Sequence, residues 1–233
     1  MLIGILETGL LPDDLQAAHG SYPDMFVRLL AQHGFDFRTW SVVRGGFPDG
    51  PEAADGWLIT GSRHGAYEDL PFIPPLESLI RDIHASGRPL VGICFGHQII
   101  AQALGGRVAK HPGGWSVGPQ EYDFQGVPRR LMAWHQDQVT DLPPGAEVIA
   151  QSPFCPYAAL RYGAHVLTIQ AHPEFGPGIV GGLIETRAPG VVPEERLAPA
   201  RAGLHAPLDS DAIASDIAAF FKAPRPAGGR AAA

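Results

Sequence analysis

Three residues of this chain have the types and spacing of a nucleophilic relay: Cys94, His172 and Glu174. Cys94 stands in Gly92-Ile93-Cys94-Phe95-Gly96, with a glycine two positions before it and two after. That is the spacing of a nucleophile elbow, with sulfur in place of oxygen. His172 and Glu174 are separated by Pro173. Proline biases the preceding residue towards an extended conformation, in which residues i and i+2 project to the same side. The Glu174 carboxylate can then orient the His172 imidazole, and the imidazole can take the thiol proton of Cys94. This is the base-plus-orienter logic of a catalytic triad, defined by roles rather than by chain order. A free cysteine is more often a small buried hydrophobe. The two glycines and the His-Pro-Glu segment set Cys94 apart from that case.

The elements that must position these groups are also legible. Pro89 to Ile93 is a short apolar run of the kind that forms a buried strand. Ile99, Ile100, Ala103 and Leu104 recur at helical spacing, and Gly105-Gly106 ends that helix. A strand that turns abruptly into a helix leaves no room for side chains beside the nucleophile, hence the glycines. The positive end of the helix behind Cys94 favours an anionic sulfur. A second apolar strand, His165 to Ile169, runs out into His172-Pro173-Glu174.

Gly92-Ile-Cys94-Phe-Gly-His-Gln98, followed about eighty residues later by His172-Pro-Glu174, resembles the class I (triad) glutamine amidotransferase family, over roughly residues 2–184. The resemblance implies an α/β three-layer sandwich around a central, mostly parallel but mixed sheet, flavodoxin-like, with a nucleophile elbow. It implies cysteine-dependent hydrolysis of a γ-glutamyl amide through a glutamyl thioester, with no cofactor. In the family a small-residue turn, often Ser-Gly-Gly-Pro, supplies one oxyanion donor, and the residue after the cysteine supplies another. Here that turn reads Thr60-Gly61-Ser62-Arg63. The backbone N–H of Gly61 or Ser62 and that of Phe95 take the donor roles, although Ser62 replaces the second glycine and Arg63 the proline. Gln98 matches the family's substrate-contacting glutamine. Ser116 and Val117, in Trp115-Ser-Val-Gly118, stand where the family holds the amino-acid end of glutamine. Trp134-His135-Gln136-Asp137 resembles its His-x-Asp segment, which makes His135 a substrate-binding candidate. His97 reads as structural. As a metal site, His135 and Asp137 supply only two ligands, so none is expected.

Two versions of the activity stay open: a stand-alone hydrolase of γ-glutamyl peptides or amines, and a glutaminase subunit passing ammonia to a separate synthetase. A non-catalytic member that binds a ligand or partner is the alternative from another class. A redox sensor on the same elbow would leave His172-Pro-Glu174 unexplained.

With 45% hydrophobic and 18% charged residues, the chain reads as a soluble enzyme with a sizeable core. A net charge of −7 without a basic stripe argues against nucleic acid and anionic membranes. Met1 to Leu6 lacks a basic lead and reads as a first strand rather than a signal peptide. No run reaches the ~18 apolar residues of a membrane span. Two cysteines make no disulfide framework, and a reducing cytoplasm suits them. The chain reads as one domain over 1–222, with short strands after Gly106 extending the parallel sheet. Residues 187–207 are expected to form an irregular insert, and 223–233 a disordered tail of low complexity.

Overall fold

The computed structural model of the chain describes residues 1–224. In chain order its elements are β1 (Leu2–Leu6), α1 (Asp13–His19), α2 (Tyr22–Leu29), β2 (Asp36–Trp40), β3 (Gly56–Ile59), α3 (Ile73–Ser86), β4 (Leu90–Ile93), α4 (Phe95–Ala103), β5 (Arg107–Lys110), β6 (Ser116–Phe124), β7 (Val127–His135), β8 (Asp137–Asp141), β9 (Ala146–Ala150), β10 (Ala159–Tyr162), β11 (Val166–Ile169), α5 (Pro177–Thr186), α6 (Glu194–Gly203) and α7 (Ser210–Lys222). The main sheet runs β2-β1-β3-β4-β11-β10-β9. Its strands are parallel from β2 to β11 and antiparallel at β10 and β9. The central strands β3 and β4 are buried throughout, as covered parallel strands must be.

Helices cover both faces. On one, Leu6, Trp57 and Ile59 pack with Leu76, Ile80 and Ile83 of α3 and Ile99 and Ile100 of α4. On the other, Ile3, Ile5, Leu58 and Val91 meet Phe26 of α2 and Ile213, Ile217 and Phe221 of α7. The expected α/β architecture with a mostly parallel mixed sheet is therefore present. Local signals hold as well: Ser21 and Asp24 close a capping box at the start of α2, and α3 ends at Gly87 with φ 70°.

Three expectations need correction. Only β9 and β10 extend the main sheet; β5–β8 and β6–β7 form separate two-stranded sheets. The β6–β7 hairpin is paired along nine positions, through a tight turn at Gln125-Gly126 with φ of 51° and 91°. It touches the main sheet's segments by isolated bridges, Asp123 to Gln151 and Met132 to His172. Secondly, α1 occupies a segment whose Leu-Pro-Asp-Asp start reads as loop. Thirdly, the supposed irregular insert contains α6. Pro199 and a polar surface hide that helix from sequence reading, yet Leu197 and Ala200 are buried. It lies so close to β6 that a Cβ on Gly118 would come 2.7 Å from the Cβ of Ala200. The expected tail falls mainly on residues 225–233, outside the described residues.

The elbow glycines have the steric reason that the sequence suggests. A Cβ on Gly92 would lie 2.5 Å from the Gly96 carbonyl oxygen, and one on Gly96 would run into the Ile59 carbonyl of β3. Both obstacles are backbone and cannot rotate away. Gly96→Ala is therefore expected to lower the unfolding free energy by about 3 kcal/mol, read as a shift in the urea midpoint; an unchanged midpoint would contradict this packing.

Candidate active site

Cys94 leaves β4 with φ 53° and ψ −104°, one of two non-glycine residues with positive φ among the described residues. Such a conformation costs on the order of 1–3 kcal/mol and persists where surroundings over-determine it. Its neighbours do so here. The Cys94 amide donates to the Ile169 carbonyl of β11 (2.9 Å), and its own carbonyl accepts from Gln98 N in α4 (3.0 Å). The side chain reaches a cavity of about 300 Å³ at the carboxyl ends of the strands, where open α/β sheets bind ligands.

His172 enters from β11. Its amide donates to the Met132 carbonyl of β7 (2.8 Å), so the separate hairpin fixes the segment that carries the imidazole. His172 Nδ1 donates to Glu174 Oε1 at 2.7 Å, with the two side chains 4% and 0% exposed. Phe175 lies flat on the imidazole, with ring centroids 3.9 Å apart and an interplanar angle of 2°, and Tyr22 stacks behind Phe175 at 6.1 Å. Cys94 lines the same cavity as the imidazole, close enough for its sulfur to act on the charge of His172. Burial disfavours the imidazolium, but Glu174 and the Cys94 sulfur outweigh it and raise the His172 pKa to about 10. A protonated imidazole between two acidic groups is the charge state in which sulfur can attack and a leaving amine can be protonated. Cys155, by contrast, is buried without such a base, and burial pushes its thiol up to about 12.

The other candidates divide. Ser62, Gln98 and His135 line the cavity with Cys94 and His172. A Cβ on Gly61 would lie 3.0 Å from His172 Cε1 and 3.7 Å from Cys94 Cβ, so the Gly61 backbone abuts both. Thr8 Oγ1 pins that turn, reaching the carbonyl oxygens of Thr60 (2.9 Å) and Gly61 (3.1 Å). Among the described residues no acceptor takes the amides of Gly61, Ser62 or Phe95. Phe95 opens α4, where orphan N–H groups are inherent. Gln98 Nε2 donates to the Asp137 carbonyl (2.9 Å) and Gln170 Oε1 (3.1 Å), leaving its own Oε1 uncommitted.

His135 is 3% exposed, and neither ring nitrogen has a hydrogen-bond partner among the described residues; burial and the neighbouring His172 lower its pKa to about 3, so it is neutral. His97 is also neutral, lowered to about 3 by burial, and its Nδ1 meets the Thr168 hydroxyl at 2.8 Å behind the site. Ser116 and Val117 do not line the cavity. Val117 packs with α5 and α6, while Trp115, two residues earlier, takes the wall beside Trp134.

Sequence reading missed Tyr22, Thr8 and Phe175. Phe175 directly follows Glu174, a proximity that could have flagged it. Tyr22 and Thr8 arrive from distant elements and carry no local signal. Among the described residues, no group of three His, Cys, Asp or Glu could hold a metal ion, and no helix is long and apolar enough to cross a membrane.

A family model for class I glutamine amidotransferases matches residues 51–184, a span that includes Cys94, His172 and Glu174. The chain belongs to the class I glutamine amidotransferase family. It is 33% identical over 183 residues to gamma-glutamyl peptidase 4 of Arabidopsis thaliana, covering 72% of this chain and 73% of that protein. It is 38% identical over 137 residues to the glutamine-hydrolyzing GMP synthase of Thermomicrobium roseum, covering 55% of this chain but only 25% of the synthase. A glutamine amidotransferase structure from Methylobacillus flagellatus superposes with a TM-score of 0.73 at 22% identity, covering 95% of this chain and 91% of that one. At that identity the likeness speaks for the fold.

Proposed function

We propose that this class I amidotransferase chain is a cysteine-dependent hydrolase of γ-glutamyl amides, with Cys94 as nucleophile, His172 as acid and base, and Glu174 as orienter. The observation that carries the reading is the 2.7 Å His172–Glu174 hydrogen bond, with His172 and Cys94 lining one cavity and both abutting the Gly61 backbone. Cys94 Sγ attacks the γ-carbonyl carbon, and the amides of Phe95 and of Gly61 or Ser62 stabilise the oxyanion. Donors of this kind are typically worth about 3 kcal/mol each. His172 gives its proton to the leaving nitrogen as the C–N bond breaks. Water then attacks the thioester while His172 takes its proton, the C–S bond breaks, and glutamate leaves. Gln98 Oε1 suits the glutamyl ammonium, and the unpartnered nitrogens of neutral His135 offer a further polar contact.

Similarity to a gamma-glutamyl peptidase over most of both chains favours a stand-alone hydrolase. Similarity to part of a GMP synthase supports a second reading, a glutaminase subunit that delivers ammonia to a separate synthetase. Glutamate release by the purified protein separates them, with glutamine and a panel of γ-glutamyl peptides and amines as substrates. The expected result is faster release from a panel member than from glutamine. Slow release from glutamine alone would favour the synthetase-dependent reading, and no release from any substrate would sink both.

A further inference from the structure

The cavity is larger than the glutamyl group requires around Cys94, and its walls differ. A leaving nitrogen must sit against His172 to receive its proton. The rest of the leaving amine therefore extends along the wall that flanks His172, made by Phe175, Tyr22, Leu183 and Arg187. That wall is apolar low down and cationic at its rim. Leu183 is buried in α5, and Val191, 55% exposed, reaches the same cavity. Arg187, the residue closing α5, lies near enough to the Tyr22 hydroxyl for its charge to act on it.

The Arg187 guanidinium makes no hydrogen bond or ion pair with any other described residue. The acids near it are engaged elsewhere. Glu185 pairs with Arg201 at 3.6 Å. Of the two acids lining the cavity, Glu68 accepts from the Gly65 amide (2.8 Å) and Asp137 from the Tyr67 hydroxyl (3.2 Å). Lys110 lies close enough to act on Asp137, so among the described residues the cavity is left with two unpaired guanidiniums, Arg63 and Arg187, of which Arg187 stands by the apolar wall at Tyr22. Such a pairing is complementary to a carboxylate attached to an apolar body.

We infer that Arg187 forms a subsite for a carboxylate on the leaving amine. The preferred substrates are then γ-glutamyl peptides of apolar amino acids, not γ-glutamyl derivatives of uncharged or cationic amines. The inference rests on the γ-glutamyl hydrolase reading above and names its leaving group.

The test compares γ-glutamylphenylalanine with γ-glutamylphenethylamide, which lacks only the carboxylate, and with γ-glutamylputrescine. Wild-type kcat/KM should favour the acid over the phenethylamide by about tenfold or more, the ordinary worth of a charge-assisted hydrogen bond, with the putrescine compound poorest. In Arg187→Gln the ratio of acid to phenethylamide should fall to near one, and Arg187→Lys should restore part of it. Equal rates for acid and phenethylamide in the wild type, or an unchanged ratio in Arg187→Gln, would overturn the subsite.

If the wild type hydrolyses none of the compounds, the hydrolase reading has failed and calorimetric binding to Cys94→Ala decides the subsite separately. Tighter binding of the acid than the phenethylamide, lost when Arg187→Gln is added, supports it; equal binding or no binding overturns it.

Discussion

Cys94→Ala is expected to lower glutamate release by at least about 10⁴-fold, the scale seen when a nucleophile is removed from an intact relay, while the protein stays folded. Cys94→Ser should be nearly as inactive, because a hydroxyl beside the same imidazole is far less acidic than a thiol. Undiminished release from the alanine variant would end the assignment. The same position predicts an unusual order of stabilities. Cys94 holds φ 53°, a conformation that alanine and serine must also adopt and that glycine adopts freely. Cys94→Gly should therefore be more stable than Cys94→Ala by about 1 kcal/mol, the reverse of the usual order, as urea midpoints would show. If alanine proves the more stable, the elbow does not store strain at this residue. Together the two measurements test whether the strain in the turn is tied to its chemistry.

How much of this was legible depended on how local each signal is. The elbow could be read because strand, turn and helix are contiguous, and steric demands there select glycine at Gly92 and Gly96. His172 and Glu174 could be read because the intervening proline places them on one side of a single segment. The layered α/β fold was expected from the family resemblance that those two segments carry. Long-range arrangement was less accessible. Nothing in Ser116–His135 says that this hairpin stands apart from the main sheet and grips His172 through Met132. Helix α6 has few buried positions and an internal proline, so its docking on Gly118 is visible only once β6 is in place. The stack of Tyr22 on Phe175 on His172 joins a helix start to a strand end some 150 residues away, and it has no sequence signature.

Glu174→Gln isolates what the third residue does. An amide oxygen can still accept from His172 Nδ1, so the geometry has a neutral replacement, but the negative charge is gone. Glu174 is the largest of the influences that raise the His172 pKa against burial, so its removal must move that pKa down from about 10. The imidazolium would then persist only to a lower pH, and the proton for the leaving amine would be lost earlier as pH rises. The expected result is an alkaline limb of kcat/KM displaced to lower pH. The fall in kcat should be about 10²–10⁴-fold, because an amide can also stabilise the wrong tautomer.

Stability should shift in the same sense. A group whose folded pKa is raised stabilises fully below its unfolded value near 6.5. That contribution is lost as pH rises through the folded value, here about 10. Wild-type stability should thus decline between neutral pH and pH 10, and Glu174→Gln should complete its decline at a lower pH. Denaturation midpoints at several pH values, taken beside the rate profiles, check both. A variant whose alkaline limb stays where the wild type's lies would show that Glu174 does not set the charge of His172. Its role would then reduce to orienting the imidazole through Nδ1.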